Sequence, residues 1–110
     1  MPNYKHAYHA GNHADVLKHV CLIYFIKSIK NTYNSILYID THAGSGYYDL
    51  KNKYIQKNKE HQTGIEKMFS FTTNDPYLRF YLKTINNINK SNKLKFYPGS
   101  PKIIQYLTDK

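Results

Sequence analysis

The stretch SILYIDTHAGSG at positions 35–46 decides the fold class. Residues 35–40 form a short run of strand-forming residues that is apolar on both faces, which is typical of a buried strand in a parallel sheet. The strand is predicted to end at Asp40, and a loop of small residues follows it. Glycine at the carboxyl end of such a strand lets a nucleotide-like ligand approach the backbone. The stretch therefore predicts an α/β fold with a ligand cleft at this strand end.

The glycines of this loop are a weak signal by themselves, because an ordinary strand-to-helix turn also needs glycine. Their spacing is neither a complete G-x-G-x-x-G fingerprint nor a P-loop, so phosphate binding is not indicated. A structural turn and a ligand-binding loop both stay open at this point.

A helix is predicted before the strand. Asn12 is placed to cap it, Asp15 stands where it can reach back to the cap, and the helical spacing continues to about Lys30. Cys21 is the only cysteine, so it cannot form an internal disulfide, and it is predicted to be a packed core thiol. The face expected to be buried comprises Val16, Leu17, Val20, Cys21, Tyr24, Ser28 and Ile29.

More helices are predicted after the strand, although residues 47–62 give no firm signal. TGIE at 63–66 has the form of a capping box before a short helix, and NDP at 74–76 supplies a cap and a proline for a helix of about four turns. Residues 94–97 are predicted to be extended. Ser100 is predicted to cap a last helix, with the next proline in its first turn.

The composition describes one small, basic domain. A formal net charge of +9 over 110 residues favours a nucleic-acid partner, because lysines near phosphates release condensed counterions. Lysine, asparagine, isoleucine and tyrosine are abundant together, however, which is also what an AT-rich genome produces. No apolar run approaches the roughly 20 residues of a membrane span, and no signal peptide is evident. We therefore expect a soluble, cytoplasmic protein that does not enter a membrane.

Five of the six histidines fall within the first 42 residues, at positions 6, 9, 13, 19 and 42. No helical i, i+4 histidine pair or cysteine partner supports a zinc site, so no metal is predicted. No Ser-His-Asp or Cys-His arrangement indicates a nucleophile. These histidines are either ordinary polar residues of the N-terminal segment or line a cleft beside the strand end.

Three blocks carry a resemblance to a known family: YKHAYHAGNHADVLKH at 4–19, DTHAGSG at 40–46 and YPGSP at 97–101. In this order and at this spacing they resemble the RlmJ family, and the resemblance extends from residue 3 to about residue 108. That family uses S-adenosylmethionine to methylate the exocyclic amine of an adenine in 23S ribosomal RNA. Its Rossmann-like class I methyltransferase domain carries a small helical insertion.

The resemblance implies a role for particular residues. His19, His42 and Ser100 correspond to cofactor contacts, and Tyr4 corresponds to a residue on the substrate side, where its ring can stack on or guide a base. Residues 47–95 correspond to the helical insertion. The implied fold is one partial domain over the 110 residues, the N-terminal portion of the Rossmann-like fold, dominated by helices and with an incomplete sheet.

The chain also departs from the family. This sequence lacks the family's acidic residue for the cofactor ribose and its catalytic Asp-Pro-Pro-Tyr motif. DPY at 75–77 is similar to that motif only in its letters, because it lies at the start of a predicted helix. No catalytic residue is therefore assigned. The resemblance implies a truncated or split methyltransferase that is inactive by itself and either self-associates or needs a separate C-terminal partner chain.

Two other readings stay open. One is a small basic nucleic-acid-binding protein without catalysis, and the other is an inert relic of a broken gene. A methyltransferase portion recognises S-adenosylmethionine or needs a partner, whereas a binding module holds nucleic acid with a steep salt dependence and ignores the cofactor.

Overall fold

The computed structural model describes residues 6–33, 35–40, 46–69, 72–90 and 93–108. Short 3-10 turns at His6–Tyr8 and Glu60–Gln62 accompany the regular elements of these ranges. Those elements are α1 (His13–Lys30), β1 (Tyr47–Asp49), α2 (Lys53–Asn58), α3 (Ile65–Met68), α4 (Pro76–Asn89), β2 (Phe96–Pro98) and α5 (Ser100–Thr108). The described part is thus a helix-rich α/β arrangement with a small sheet.

Helix α1 begins and ends as predicted. The side-chain oxygen of Asn12 accepts a hydrogen bond from the backbone N–H of Asp15 at 2.8 Å, and the helix ends at Lys30. The carboxylate of Asp15 does not reach back to the cap, however, but accepts a bond from the backbone N–H of Gly11 at 3.0 Å. The N-terminal cap is therefore local, whereas the acidic side chain is turned toward the interior.

The predicted buried face of α1 is wrong in part. Leu17, Cys21 and Tyr24 are exposed, so Cys21 is not a core thiol. Helices α4 and α5 both pack against α1 and cover the stripe on its other side. The residues of α1 that are buried are Asp15, Val16, His19, Ile23 and Ile26.

The sheet of the described residues consists of β1 and β2, which pair antiparallel with Tyr48 opposite Tyr97. A bond from the backbone N–H of Gly99 to the carbonyl of Gly46 at 2.9 Å lies beside this pairing. The extended segment predicted at 94–97 corresponds to β2, whereas β1 was not predicted. The pairing joins the two ends of the segment that contains α2, α3 and α4.

The strand predicted at 35–40 is not present: these six residues form neither a helix nor a strand. Leu37 is 84% exposed and Ile39 is 73% exposed, so the segment is not buried on both faces. A parallel strand exists only through hydrogen bonds to neighbouring strands, and the described residues provide no such neighbour here. The apolar sequence is suited to a buried strand, but the partners that would make it one are not in the described part of the chain.

Tertiary contacts replace two of the predicted helix caps. Thr63 does not cap α3, since its hydroxyl donates to the carbonyl of Glu60 at 3.3 Å, and the carbonyl of Gly11 accepts the backbone N–H of Ile65 at 2.8 Å instead. Ser100 is the first residue of α5 rather than its cap. Its hydroxyl donates to the carboxylate of Asp40 at 2.9 Å.

The core lies between α1, α4, α5 and the sheet. Its fully buried apolar and aromatic side chains include Ile23, Tyr81, Ile85, Tyr97 and Ile103. Within the described ranges, none of the helices has the length and apolar character that crossing a membrane requires.

Helix α4 depends on the cap that the sequence predicted. One carboxylate oxygen of Asp75 accepts the backbone N–H groups of Tyr77 and Leu78, both at 2.9 Å, and Pro76 fills the first helical position. Asp75→Ala is expected to lower the free energy of unfolding by about 1 kcal/mol. Urea denaturation checks this, with Asp75→Asn as the control because asparagine keeps the acceptor. Equal destabilisation by both substitutions would contradict the assignment.

Candidate functional site

Two ionisable side chains lie one helical turn apart on the buried face of α1. Asp15 is 3% exposed and His19 is 1% exposed, and Oδ1 of Asp15 is 3.6 Å from Nε2 of His19. Burial of charged or polar groups is unfavourable unless other groups compensate for the lost water. The pair therefore marks the place in the described core where polar chemistry is concentrated.

Four polar groups surround the carboxylate of Asp15. Its Oδ1 lies 2.9 Å from Nε2 of His6 and 3.4 Å from Nζ of Lys18, and its Oδ2 accepts bonds from the backbone N–H of Gly11 at 3.0 Å and the hydroxyl of Tyr97 at 2.8 Å. Burial raises the pKa of Asp15, but the bond from His6, the neighbouring histidine charge and the bond from Gly11 together hold it well below its usual range. Asp15 is therefore a carboxylate at neutral pH.

His19 has one ring nitrogen bonded and one unbonded. Its Nδ1 lies 3.0 Å from the hydroxyls of both Tyr81 and Tyr97, which are 2.7 Å from each other. Its buried Nε2 has no hydrogen-bond partner among the described residues. Burial lowers the pKa of His19 to about 4, although the charge of Asp15 raises it in part. The imidazole is thus neutral at pH 7, with one polar atom left without a partner.

A second polar group stands at the end of the 35–40 segment. Oδ2 of Asp40 accepts bonds from the hydroxyls of Ser100 at 2.9 Å and Tyr38 at 2.8 Å. Burial, together with the bond to Asp40, raises the pKa of Tyr38 to about 12. The charge of Asp40 also acts on His19. The cluster around Asp15 and the cluster around Asp40 are therefore electrostatic neighbours.

The residues predicted for the site are placed as follows. His19 lies at the centre of the buried polar cluster, and Ser100 lies at the start of α5 with its hydroxyl on Asp40. Asp40 links the two, because it bonds Ser100 and interacts electrostatically with His19. His42 and Tyr4 lie outside the described residues.

Sequence reasoning missed three members of this cluster. Asp15 was considered only as a capping residue. Tyr81 lies in the predicted helix of about four turns and Tyr97 in the predicted extended segment, and neither was given a polar role. A signal existed for Asp15 and His19, because two polar residues four apart share a face with Ile23 and Ile26. No local signal existed for the tyrosines, which lie 62 and 78 residues from His19 along the chain.

The histidine-rich segment before α1 has a structural function in part. Nδ1 of His9 lies 3.1 Å from both carboxylate oxygens of Glu60, and the side-chain amide of Asn12 donates to Oε1 of Glu60 at 3.0 Å. The bonds from Asn12 and His9 lower the pKa of Glu60. These contacts tether the start of α1 to the turn before α3, while His6 alone of this segment's described histidines bonds Asp15.

The arrangement can orient a small polar molecule. A neutral imidazole nitrogen, a nearby carboxylate and a hydroxyl at a helix start are the sort of convergent polar groups that fix a ligand by hydrogen bonds. What the described cluster offers chemically is hydrogen-bonding groups, which serve binding and positioning.

Comparisons with known proteins identify close relatives. Over 107 residues the chain is 39% identical to ribosomal RNA large subunit methyltransferase J of Escherichia coli strain K12, covering 97% of this chain and 38% of that protein. Over 104 residues it is 38% identical to the protein of the same name from Haemophilus influenzae Rd, covering 94% of this chain and 37% of that one. The chain therefore spans less than two fifths of the length of these relatives.

A solved structure has the same fold over most of the chain. The crystal structure of a Legionella pneumophila protein superposes with a TM-score of 0.78 at 35% identity, covering 91% of this chain and 36% of that one. The family model described as "Ribosomal RNA large subunit methyltransferase D, RlmJ" matches residues 33–110. This chain belongs to the RlmJ family.

Proposed function

We propose that these 110 residues form part of the cofactor pocket and part of the RNA-facing surface of an S-adenosylmethionine-dependent adenine-N6 methyltransferase of 23S ribosomal RNA. The full domain would have the Rossmann-like class I fold, with residues 47–95 as its helical insertion and a cytoplasmic location. The observation that carries the proposal is the buried, unbonded Nε2 of His19 beside Asp15 and near Asp40. The names of the relatives support the reaction class.

The residues present fit the polar groups of S-adenosylmethionine. That molecule carries an ammonium, a carboxylate, ribose hydroxyls and an adenine, and His19 offers a ring nitrogen that has no partner among the described residues. Ser100 stands at the start of α5. His19, His42 and Ser100 would hold the cofactor, which supplies an electrophilic methyl group when bound. Tyr4 would guide the target base.

The catalytic step needs groups that these residues do not provide. In the family the Asp-Pro-Pro-Tyr motif accepts hydrogen bonds from the adenine amine and stacks on the extruded base. Asp75 cannot substitute for it, because its carboxylate caps α4 through the backbone N–H groups of Tyr77 and Leu78. Without a positioned nucleophile, several orders of magnitude in rate are lost. The 110 residues by themselves are therefore proposed to be inactive.

The groups that complete the site would lie outside these 110 residues. Leu37 and Ile39 are exposed in a segment whose sequence suits a buried strand. An exposed apolar segment whose sequence suits a strand favours pairing with a further strand. We propose that this segment takes part in self-association or in binding a separate C-terminal partner chain.

We expect the 110-residue chain to bind S-adenosylmethionine weakly and to transfer no methyl group to 23S ribosomal RNA. A missing charge-assisted hydrogen bond to the ribose weakens binding by about 10- to 100-fold. Calorimetry and transfer of labelled methyl groups measure both, with the full E. coli relative as the positive control. Adding the remainder of that relative as a separate chain is expected to restore transfer. Low-micromolar affinity, or transfer by the chain alone, would contradict this proposal.

His19→Gln tests the site itself, and His13→Gln is the matched control because His13 is an exposed histidine at the start of the same helix. We expect only the first substitution to weaken cofactor binding further, as followed by chemical shifts.

The competing function, a basic nucleic-acid-binding module, is favoured by the net charge of +9. RNA binding with a steep salt dependence and no response to the cofactor in any combination would favour that alternative.

A further inference from the structure

The buried cluster around His19 allows its protons to be counted. Four short contacts connect its members: Tyr97 hydroxyl to Oδ2 of Asp15 at 2.8 Å, Tyr81 hydroxyl to Tyr97 hydroxyl at 2.7 Å, and Nδ1 of His19 to each hydroxyl at 3.0 Å. Each tyrosine has a single O–H proton, and a neutral histidine has a single N–H. The number of protons therefore limits which group can be the donor in each contact.

The carboxylate determines the order of the protons. Ionised Asp15 is an acceptor only, so the proton of Tyr97 lies between Tyr97 and Asp15. The 2.7 Å contact between the two hydroxyls then needs the proton of Tyr81. Neither tyrosine has a proton left for His19, and so Nδ1 of His19 must itself be the donor. Nε2 consequently carries the lone pair.

We propose that Asp15, Tyr97 and Tyr81 form a proton-ordered relay that holds His19 in the Nδ1–H tautomer, so that Nε2 is a hydrogen-bond acceptor for an N–H or O–H group of the ligand. Tyr97 and Tyr81 are positioning residues, since they act through His19. The assignment of the tautomer does not depend on the proposed function. The assignment of the ligand chemistry does rest on the proposed function, and it specifies which cofactor groups contact His19.

The nearest charge, on Asp15, favours the same ligand chemistry. Nε2 of His19 and Oδ1 of Asp15 are 3.6 Å apart, so two acceptors face each other. A ligand donor at this point satisfies Nε2, whereas a ligand carboxylate meets a lone pair and a negative charge. The other charged or titratable groups that act on His19 are Lys18, His6 and Asp40. In S-adenosylmethionine the donors are the ammonium group, the ribose hydroxyls and the exocyclic amine of the adenine.

The tautomer is measured directly by long-range proton–nitrogen NMR correlation on the 15N-labelled chain at neutral pH without ligand. His19→Gln identifies the signals of His19 among the six histidines. We expect Nδ1 of His19 to have the shift of a protonated ring nitrogen and Nε2 that of an unprotonated one. The reverse pattern overturns the relay.

Two tyrosine-to-phenylalanine substitutions form a matched pair. In Tyr97→Phe the hydroxyl of Tyr81 loses its acceptor and is expected to donate to Nδ1 of His19, which moves the histidine proton to Nε2. In Tyr81→Phe the hydroxyl of Tyr97 still donates to Asp15 and still accepts from Nδ1 at 3.0 Å, so the tautomer is expected to stay. Both remove one buried hydroxyl, so a structural effect alone would not separate them. An unchanged tautomer in Tyr97→Phe overturns the relay. If Tyr97→Phe does not fold, the tautomer of His19 in the unmodified, ligand-free chain and in Tyr81→Phe still tests the relay.

The ligand is tested with cofactor analogues followed through the Nε2 signal of His19. S-adenosylmethionine is compared with analogues that lack the α-amine, the ribose hydroxyls, the carboxylate or, as the fourth, the exocyclic amine of the adenine. Loss of the Nε2 response with the first analogue assigns the ammonium group, loss with the second assigns the ribose, and loss with the fourth assigns the adenine amine. Loss only with the third overturns the proposed ligand chemistry. If no compound shifts any resonance, the ligand assignment and the proposed function both fail, while the tautomer of the ligand-free chain still decides the relay.

Discussion

Lowering the pH from 7 to 4 is expected to reduce the free energy of unfolding by about 3 kcal/mol through His19. The folded pKa of this histidine is about 4 against an ordinary 6.5, because burial disfavours its charged form. Between these values the unfolded chain binds a proton that the folded chain does not, so stability falls as the pH falls. The pKa of Asp15 is lowered from its ordinary value of 3.8, so a further loss of stability is expected when the pH falls below that value.

The contribution of His19 is isolated by comparing pH slopes. Urea denaturation at several pH values is expected to give a smaller slope between pH 6.5 and 4 for His19→Gln, while His13→Gln keeps the slope of the unmodified chain. Some slope remains in His19→Gln, because burial also lowers the pKa of His61. Identical slopes for the two variants would mean that His19 is not buried in its neutral form.

Gly64→Ala is expected to destabilise the protein by about 3 kcal/mol or more. A Cβ on Gly64 would overlap the carbonyl oxygen of Gly11 and would lie 2.7 Å from the carbonyl carbon and 2.8 Å from the Cα of Asn12. These are backbone atoms at the start of α1, so no side-chain rotation relieves the clash. The bond from Ile65 to the carbonyl of Gly11 would be lost with it.

Gly46→Ala is the matched control for this effect. A Cβ there meets the Cβ of Pro101 at 3.6 Å, an ordinary van der Waals distance. Thermal unfolding is expected to show a large decrease in Tm for Gly64→Ala and a small change for Gly46→Ala. Similar changes in both variants would indicate that the start of α1 can move away from the turn before α3.

Elements with local signals were predicted well. Helices α1 and α4 begin where Asn12 and Asp75 supply capping oxygens within their own turn, and these caps do not depend on distant residues. The 35–40 strand failed because a strand is defined by its neighbours. The predicted caps at Thr63 and Ser100 failed because Gly11 and Asp40, distant in sequence, offer alternative hydrogen bonds.

The site was predictable only in part. His19 and Ser100 were selected through the family resemblance, and their roles stay predictions, as do those of His42 and Tyr4 outside the described residues. The relay was not predictable, because its tyrosines are distant from Asp15 along the chain and nothing in their local sequence indicates a polar partner. On α1, apolar periodicity wrongly predicted that Cys21 is buried. The side of this helix that packs against α4 and α5 carries the polar residues Asp15 and His19, so an apolar pattern does not identify it.

The pairing of β1 with β2 has a consequence for how this protein can vary. The two paired strands hold together the ends of the segment that lies between them. The entropy cost of closing such a segment depends only weakly on its length. Residues can thus be gained or lost in this segment without displacing the two strands. The exceptions are the contacts that reach back to α1: Glu60 bonds Asn12 at 3.0 Å, Ile65 bonds the carbonyl of Gly11 at 2.8 Å, and the hydroxyl of Tyr81 lies 3.0 Å from His19. The segment between β1 and β2 is tolerant of insertion and deletion wherever the register of these contacts is kept.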